Sequence, residues 1–136
     1  MPYYLGIDVG TTGCKVVLIN ESGRVVSKDV IEYPLYTPKP GWSEQDPRDW
    51  WRACTKAVKN TVSKARVSKD DIEGIGLTGQ MHGLVVIDRE GQVIRPAILW
   101  NDQRTAKEAL LINKRVGICL LYTSPSPRDL STSRMP

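Results

Sequence analysis

The sequence lacks phenylalanine, has a single histidine and contains no long apolar run. Without about 20 consecutive apolar residues the sequence predicts no membrane-spanning helix. The N-terminus also shows no basic segment followed by an apolar stretch, so no secretory signal is expected. Three cysteines (Cys14, Cys54 and Cys119) form an odd set without metal-ligand spacing, which favours free thiols over a disulfide framework. These absences favour a cytoplasmic protein with no membrane partner.

Charge of one sign is not concentrated anywhere in the chain. The net charge is +4, and the Lys and Arg residues are interspersed with Asp and Glu. Because no basic cluster is present, the sequence predicts no nucleic-acid partner. A length of 136 residues with 40% hydrophobic content fits one globular domain with a real core.

The pattern of apolar and turn residues predicts an α/β fold that starts with an antiparallel meander. Asp46 and Pro47 have the chemistry of a helix N-cap followed by the first helical residue. A short second cap is expected at Ser68 and Asp71. The predicted strands are residues 3–8, 15–20, 25–33, 72–78, 84–87 and 93–94, with helices over about 47–66 and 102–116.

A small-residue turn, Gly10-Thr11-Thr12-Gly13, stands between the first two predicted strands. Glycines allow a backbone to turn tightly and to approach an anion, and threonine hydroxyls can donate to phosphate oxygens. Asp8, at the end of the first strand, is a candidate Mg²⁺ ligand, and Lys15 could reach the phosphates as a point charge. A plain β-hairpin turn explains the same spacing equally well. The segment matches neither the P-loop nor the dinucleotide fingerprint.

A second candidate segment, Gly79-Gln80-Met81-His82-Gly83, lies between two predicted strands. Gln80 and His82 could hydrogen-bond the hydroxyls of a polar ligand, and Met81 could form one wall of its site. The alternative is a hairpin that carries a surface histidine.

Two further segments, Trp42-Ser43-Glu44-Gln45-Asp46 and Trp100-Asn101-Asp102-Gln103-Arg104, each place an aromatic ring beside amide and carboxylate groups. That combination is common in sugar pockets. A structural reading is also open, in which Trp42 is a core anchor and Asp46 and Asp102 are helix caps.

Taken together and in this order, these segments resemble the N-terminal part of the FGGY carbohydrate kinases, over about residues 2–116. Within the family the similarity is greatest to the members that phosphorylate D-xylulose, since glycerol kinases carry Arg-Glu where Met81-His82 stands. The segments that carry the resemblance are Gly6-Ile7-Asp8-Val9-Gly10-Thr11-Thr12-Gly13, Trp42-Ser43-Glu44-Gln45-Asp46-Pro47, Gly79-Gln80-Met81-His82-Gly83 and Arg95-Pro96-Ala97-Ile98-Leu99-Trp100-Asn101-Asp102.

The resemblance implies a ribonuclease-H-like (actin-like ATPase) domain, with three antiparallel strands continued by a parallel strand. It implies ATP and Mg²⁺ as cofactors, and transfer of the γ-phosphate to the 5-hydroxyl of D-xylulose. A homodimer is left open for the parent enzyme, as is another sugar or polyol substrate. The implied roles are metal and phosphate support by Asp8, phosphate binding by Gly10, Thr11, Thr12, Gly13 and Lys15, and sugar binding by Gln80, Met81, His82, Asn101 and Asp102.

The last segment of the chain differs from the rest. Residues 117–136 are rich in Pro, Ser and Thr and lack periodicity, which is typical of disorder, and they also resemble translated sequencing-adapter DNA. We therefore expect residues 1–116 to be a partial FGGY kinase N-terminal domain. The family's general base is an aspartate far downstream, so this chain alone is expected to be inactive, and a binding module without catalysis stays an alternative.

Overall fold

A computed structural model describes residues 1–116, and the chain divides into two compact units, residues 1–102 and residues 103–136. The predicted tail at 117–136, with Cys119, lies outside the described residues. The first unit contains, in order, β1 (Tyr3–Val9), β2 (Gly13–Asn20), β3 (Val25–Glu32), β4 (Glu44–Gln45), α1 (Pro47–Ala65), a 3-10 turn (Lys69–Asp71), β5 (Ile72–Gly79) and β6 (Ala97–Ile98). The described part of the second unit contains α2 (Ala106–Val116).

The main sheet has four strands in the order β3-β2-β1-β5. β1 and β2 pair antiparallel, as do β2 and β3, whereas β5 runs parallel to β1. The predicted mixed sheet is therefore confirmed. The parallel pair brings Gly79, at the end of β5, beside Val9, at the end of β1. The loop Gly10–Gly13 and the segment Gly79–Gly83 consequently lie at the ends of two neighbouring strands, on the same side of the sheet.

Alternating residues of β1 and β2 form the core, because successive side chains of a strand point to opposite faces. Leu5, Val16 and Leu18 are almost fully buried and pack in one cluster with Ala53 and Ala57 of α1. The opposite face of the sheet carries the intervening residues, which include Asp8 and Lys15.

The predicted N-terminal signal of α1 is confirmed, and the helix ends close to the predicted residue 66. The Asp46 carboxylate accepts from the backbone N–H of Arg48, and Pro47 is the first helical residue. Arg66 ends the helix in the left-handed conformation with φ 55°, and its N–H donates to the carbonyl of Ser63. Ser68 caps the short turn that follows.

β5 departs from the prediction of a buried strand. Ile75 is 67% exposed and Leu77 is 74% exposed, although their parallel partners Leu5 and Ile7 are core residues. The difference arises because β5 is the edge strand of the described sheet and α1 packs over β2 and β3 rather than over β5.

The prediction was also wrong for the strands at 84–87 and 93–94. Leu84 and Ile87 make only isolated bridges, to Ile98 and Val93 respectively, although the predicted turn after Ile87 forms as a backbone hydrogen bond from Gly91 to Asp88. Two strands escaped prediction: β4 and β6 pair antiparallel over two residues each. A ladder this short carries no detectable period.

The helix predicted from residue 102 begins at Ala106. The backbone N–H of Asp102 donates to Leu99 O in a turn, and its carboxylate accepts from the N–H of Ser43 at 2.7 Å. Asp102 is therefore not the N-cap of α2. Among residues 1–116, no helix combines the length and the apolar character that crossing a membrane requires.

Candidate functional site

The loop between β1 and β2 is closed by its own backbone and clamped by Tyr33. The N–H of Gly10 donates to Gly13 O at 3.1 Å, and the Tyr33 hydroxyl donates to Gly10 O. Tyr33 also donates its backbone N–H to Thr12 O at 3.4 Å. Burial raises the pKa of the Tyr33 phenol to about 12, so this donor stays protonated at neutral pH. Tyr33 had no role in the sequence-based prediction.

Of the two loop glycines, only Gly13 is required by the packing of the strands. Neither Gly10 nor Gly13 has a positive φ, so neither is required by a left-handed turn. A Cβ on Gly13 would lie 2.7 Å from the backbone oxygen of Ile31, which is too close. A Cβ on Gly10 would meet only Gly13 O, at an ordinary 3.5 Å. Gly13 therefore serves the packing of β2 against β3, and Gly10 leaves space at the loop surface.

The two loop threonines differ in what they can offer a ligand. The Thr11 hydroxyl donates to Gln80 Oε1 at 3.3 Å, which ties the loop to the second segment. Thr12 is exposed, and its hydroxyl makes no hydrogen bond within residues 1–116. Neither backbone N–H, of Thr11 or of Thr12, has an acceptor in the described part of the chain. Successive N–H groups without an acceptor are available to an anion when the turn brings them together.

Asp8 and Lys15 are direct cross-strand partners on the sheet face away from α1. Together with Gly10, Thr12 and Gly13 they line a cavity of about 320 Å³. Among residues 1–116 no group of three or more His, Cys, Asp and Glu side chains could hold a metal ion. Glu32 also lines this cavity, and one or two carboxylates suit Mg²⁺, which keeps several waters and takes phosphate oxygens as further ligands. Asp8 therefore fits the predicted metal role.

The second segment borders a separate cavity of about 470 Å³ beside the end of β1. Met81 is half-exposed, and His82 has a left-handed backbone with φ 64°. Such a conformation is uncommon outside glycine and occurs at binding sites where local strain is maintained by the surroundings. The walls combine apolar and polar groups: Val9, Trp50, Leu77, Thr78, Gly79, Gln80, Met81, His82, Gly83 and Val85.

Gln45 joins the two segments; it belongs to a predicted candidate sugar-pocket segment but had no predicted role of its own. Its side chain is 1% exposed, and its Nε2 donates to Thr11 O at 2.6 Å. Its Oε1 accepts from Gln80 Nε2 and from Trp50 Nε1, both at 3.0 Å. The sequence signal for Gln45 is its place in that sugar-pocket segment, directly before the helix cap Asp46.

Asn101 and Asp102 are placed differently from Met81 and His82. Neither of them lines the 470 Å³ cavity. Asp102 is half-buried and holds the backbone N–H of Ser43, and Asn101 is exposed. Their predicted sugar contacts therefore stay a prediction, whereas Thr11 and Gln80 are brought into direct contact.

The sequence is similar to those of known carbohydrate kinases. The family model described as the N-terminal domain of the FGGY family of carbohydrate kinases matches residues 3–124. The xylulose kinase of Bacillus subtilis (strain 168) is 44% identical over 121 residues, which cover 89% of this chain and 24% of that protein. The xylulose kinase of Escherichia coli (strain K12) is 46% identical over 113 residues, which cover 83% of this chain and 23% of that protein.

The fold is similar as well. The crystal structure of a xyloylose (xylulose) kinase from Brucella ovis matches with a TM-score of 0.79 and 44% identity, over 82% of this chain and 24% of that one. The chain thus spans about a quarter of the length of the relatives that it matches, and its partial mixed sheet is that of the actin-like ATPase fold. The chain belongs to the FGGY family of carbohydrate kinases.

Proposed function

We propose that this chain forms the phosphate-loop and sugar-binding part of a xylulose kinase, an ATP-dependent phosphotransferase that acts on D-xylulose. The observation that carries the proposal is the hydrogen bond between Thr11 and Gln80 at 3.3 Å. A phosphate donor on the loop and a sugar at the second segment would be neighbours. Transfer between bound reactants depends on this kind of positioning.

On the phosphate side, each group has a distinct task. The unpaired N–H groups of Thr11 and Thr12 face the phosphate oxygens, and the Thr12 hydroxyl adds a donor. Lys15 contributes positive charge from the adjacent strand. Mg²⁺ would be held by Asp8, and when bound it neutralises charge on the phosphates. Gly10 keeps the loop surface open for close approach.

On the sugar side, Gln80 is already oriented by its bonds to Thr11 and Gln45. His82 is held by a left-handed backbone and offers an imidazole to sugar hydroxyls, and Met81 supplies an apolar wall. Asn101 and Asp102 complete the proposed sugar contacts. The match at Met81-His82 favours a xylulose kinase over a glycerol kinase, in which Arg-Glu occupies these positions.

The general base is proposed to come from outside residues 1–136, because the family's base is an aspartate far downstream of these motifs. The purified chain should accordingly show no xylulose-dependent ATP turnover. The proposal further includes a cytoplasmic location and no nucleic-acid or membrane partner; a homodimer remains an option for the whole kinase.

Titration of the ¹⁵N-labelled 136-residue chain with D-xylulose, followed by NMR, tests the sugar site. We expect signals of residues 79–83 to shift with D-xylulose more than with glycerol or gluconate, and ATP–Mg²⁺ to shift signals of residues 10–13. His82→Ala should abolish the sugar-dependent shifts and leave the nucleotide-dependent ones. Stronger shifts with glycerol or gluconate would favour another kinase of the family. Binding of both ligands by a natural product of this length would favour a module without catalysis.

A further inference from the structure

We infer that Gln45 is a positioning residue that fixes the loop Gly10–Gly13 and the segment Gly79–Gly83 in one arrangement through its side-chain amide. This inference rests on the proposed function, since it concerns how the phosphate and sugar sites are aligned. Gln45 lines neither of the two site cavities. It acts through Thr11 and Gln80 rather than by touching a ligand.

Trp50 determines which way the Gln45 amide faces. The indole Nε1 can only donate, so the Gln45 atom 3.0 Å from it must be the oxygen. The Nε2 group then points at Thr11 O, 2.6 Å away. A flipped amide would set two donors against each other at Trp50 and two oxygens against each other at Thr11. The amide therefore has one orientation.

The same logic extends to Gln80. Because Gln45 presents its oxygen, Gln80 must present Nε2 to it at 3.0 Å, which turns Gln80 Oε1 toward the Thr11 hydroxyl. Thr11 then donates to Gln80. One indole N–H thus assigns the direction of four consecutive hydrogen bonds, and every one of them joins groups that are part-buried.

The backbone of Gln45 is itself held on both sides. Gln45 pairs with the fully buried Ala97 in the short β4–β6 ladder, and the next residue, Asp46, caps α1. α1 in turn packs on β2 and β3. The amide therefore projects from a backbone that belongs to neither of the two segments that it joins and is held by its own contacts, which is what a positioning residue requires.

Two substitutions separate positioning from general structural support. Gln45→Met has a similar length and loses all three bonds. Gln45→Glu keeps an acceptor for Trp50 and Gln80 but sets a carboxylate oxygen against Thr11 O. Asn60→Ala is the matched control, since the Asn60 amide likewise bonds a side chain distant in the sequence, Asp29, at 2.8 Å, but lies on α1 and outside the site.

Amide hydrogen exchange of the 136-residue chain is the first readout. Loss of one such bond should raise the exchange rate of a nearby backbone N–H roughly fivefold, relative to the N–H of Val16 in the core. In Gln45→Glu we expect this increase at Gly10, and in Gln45→Met at both Gly10 and Gln80. The indole N–H resonance of Trp50 should move to the shift of an unbonded indole in Gln45→Met and stay in the hydrogen-bonded range in Gln45→Glu. Asn60→Ala should change none of these relative to Val16.

The inference is overturned if exchange at Gly10 and Gln80 rises by the same factor as at Val16 in both variants. If Gln45→Met does not fold, Gln45→Glu decides alone: exchange at Gly10 that rises by no more than the factor at Val16 would equally overturn the inference. Titrations with D-xylulose and with pyrophosphate provide the second readout. If the unsubstituted chain binds neither D-xylulose nor pyrophosphate, the result counts against the proposed function alone. If the unsubstituted chain and both Gln45 variants bind them equally well, the result counts against the inference alone.

Discussion

His82 allows a stability test whose sign is set by backbone conformation. Its φ of 64° places it in the left-handed region, which costs a residue with a Cβ about 1–2 kcal/mol. Glycine avoids that cost but loses about 0.4–1 kcal/mol through the greater freedom of the unfolded chain. His82→Gly should therefore be more stable than His82→Ala by about 0.5–1 kcal/mol. Comparing the two variants cancels the loss of the imidazole itself.

Two other positions provide matched controls. Arg66 ends α1 with φ 55°, so the Arg66→Gly variant should be more stable than the Arg66→Ala variant by a similar amount. Lys56 is exposed within α1, and there glycine should be less stable than alanine by about 1 kcal/mol. The sign of the difference must therefore invert between Lys56 and the other two positions.

Urea denaturation of the 136-residue chain and its six variants measures these differences, and they can be compared directly when the free energy of unfolding falls with urea concentration at the same slope in all of them. Alanine at position 82 that equals or exceeds glycine in stability would refute the left-handed conformation of His82. Because both variants remove the proposed sugar contact of the imidazole, we expect both to bind sugar more weakly than the unsubstituted chain, whatever their difference in stability.

Three further predictions concern packing, charge and thiol chemistry. Gly13→Ala should destabilise the chain by about 2 kcal/mol because its Cβ would lie 2.7 Å from Ile31 O, whereas Gly10→Ala should cost under about 0.5 kcal/mol; equal losses in urea denaturation would contradict this. Hydrogen bonds from Lys64 and Asn60 hold the pKa of the Asp29 carboxyl below 3.8. The contribution of these bonds to the free energy of unfolding is therefore complete above pH 3.8 and is lost as the pH falls through the lowered pKa. Denaturation across pH should show the advantage over Asp29→Asn at pH 7 vanishing on acidification, and a constant gap would exclude the linkage. Burial raises the pKa of the Cys14 thiol to about 11, so iodoacetamide at pH 8 should label Cys54 before Cys14, as followed by mass spectrometry; native labelling of Cys14 at the Cys54 rate would show that it is accessible.

The sequence predicted those parts of the structure that depend on residues close to one another along the chain. The meander and the cap of α1 are set within a few positions, as at Asp46 and Pro47. The start of α2 was misplaced because the Asp102 side chain is taken by Ser43, 59 positions away. The role of Gln45 was missed for the same reason, since its partners Thr11 and Gln80 are 34 and 35 positions distant.

The exposure of β5 could be expected from the family resemblance, because family domains pack later elements on this sheet, but not from the composition of the strand itself. Apolar content indicates a strand but does not reveal whether it is central or at an edge, and Ile75 and Leu77 are exposed only because the described sheet ends there. In the candidate site, the motifs identified Thr11 and Gln80 as members, but only the fold could show that they touch each other.

The edge position of β5 also determines how copies of this chain would associate. An edge strand with unpaired N–H and C=O groups and exposed apolar side chains is a template for another strand. β5 contains Gly74, Gly76 and Gly79 among its eight residues, so few side chains remain to fix a pairing register. Strands of this kind slip relative to their partners. Self-association through β5 would therefore yield a heterogeneous set of oligomers, growing with concentration, instead of a dimer of one defined geometry.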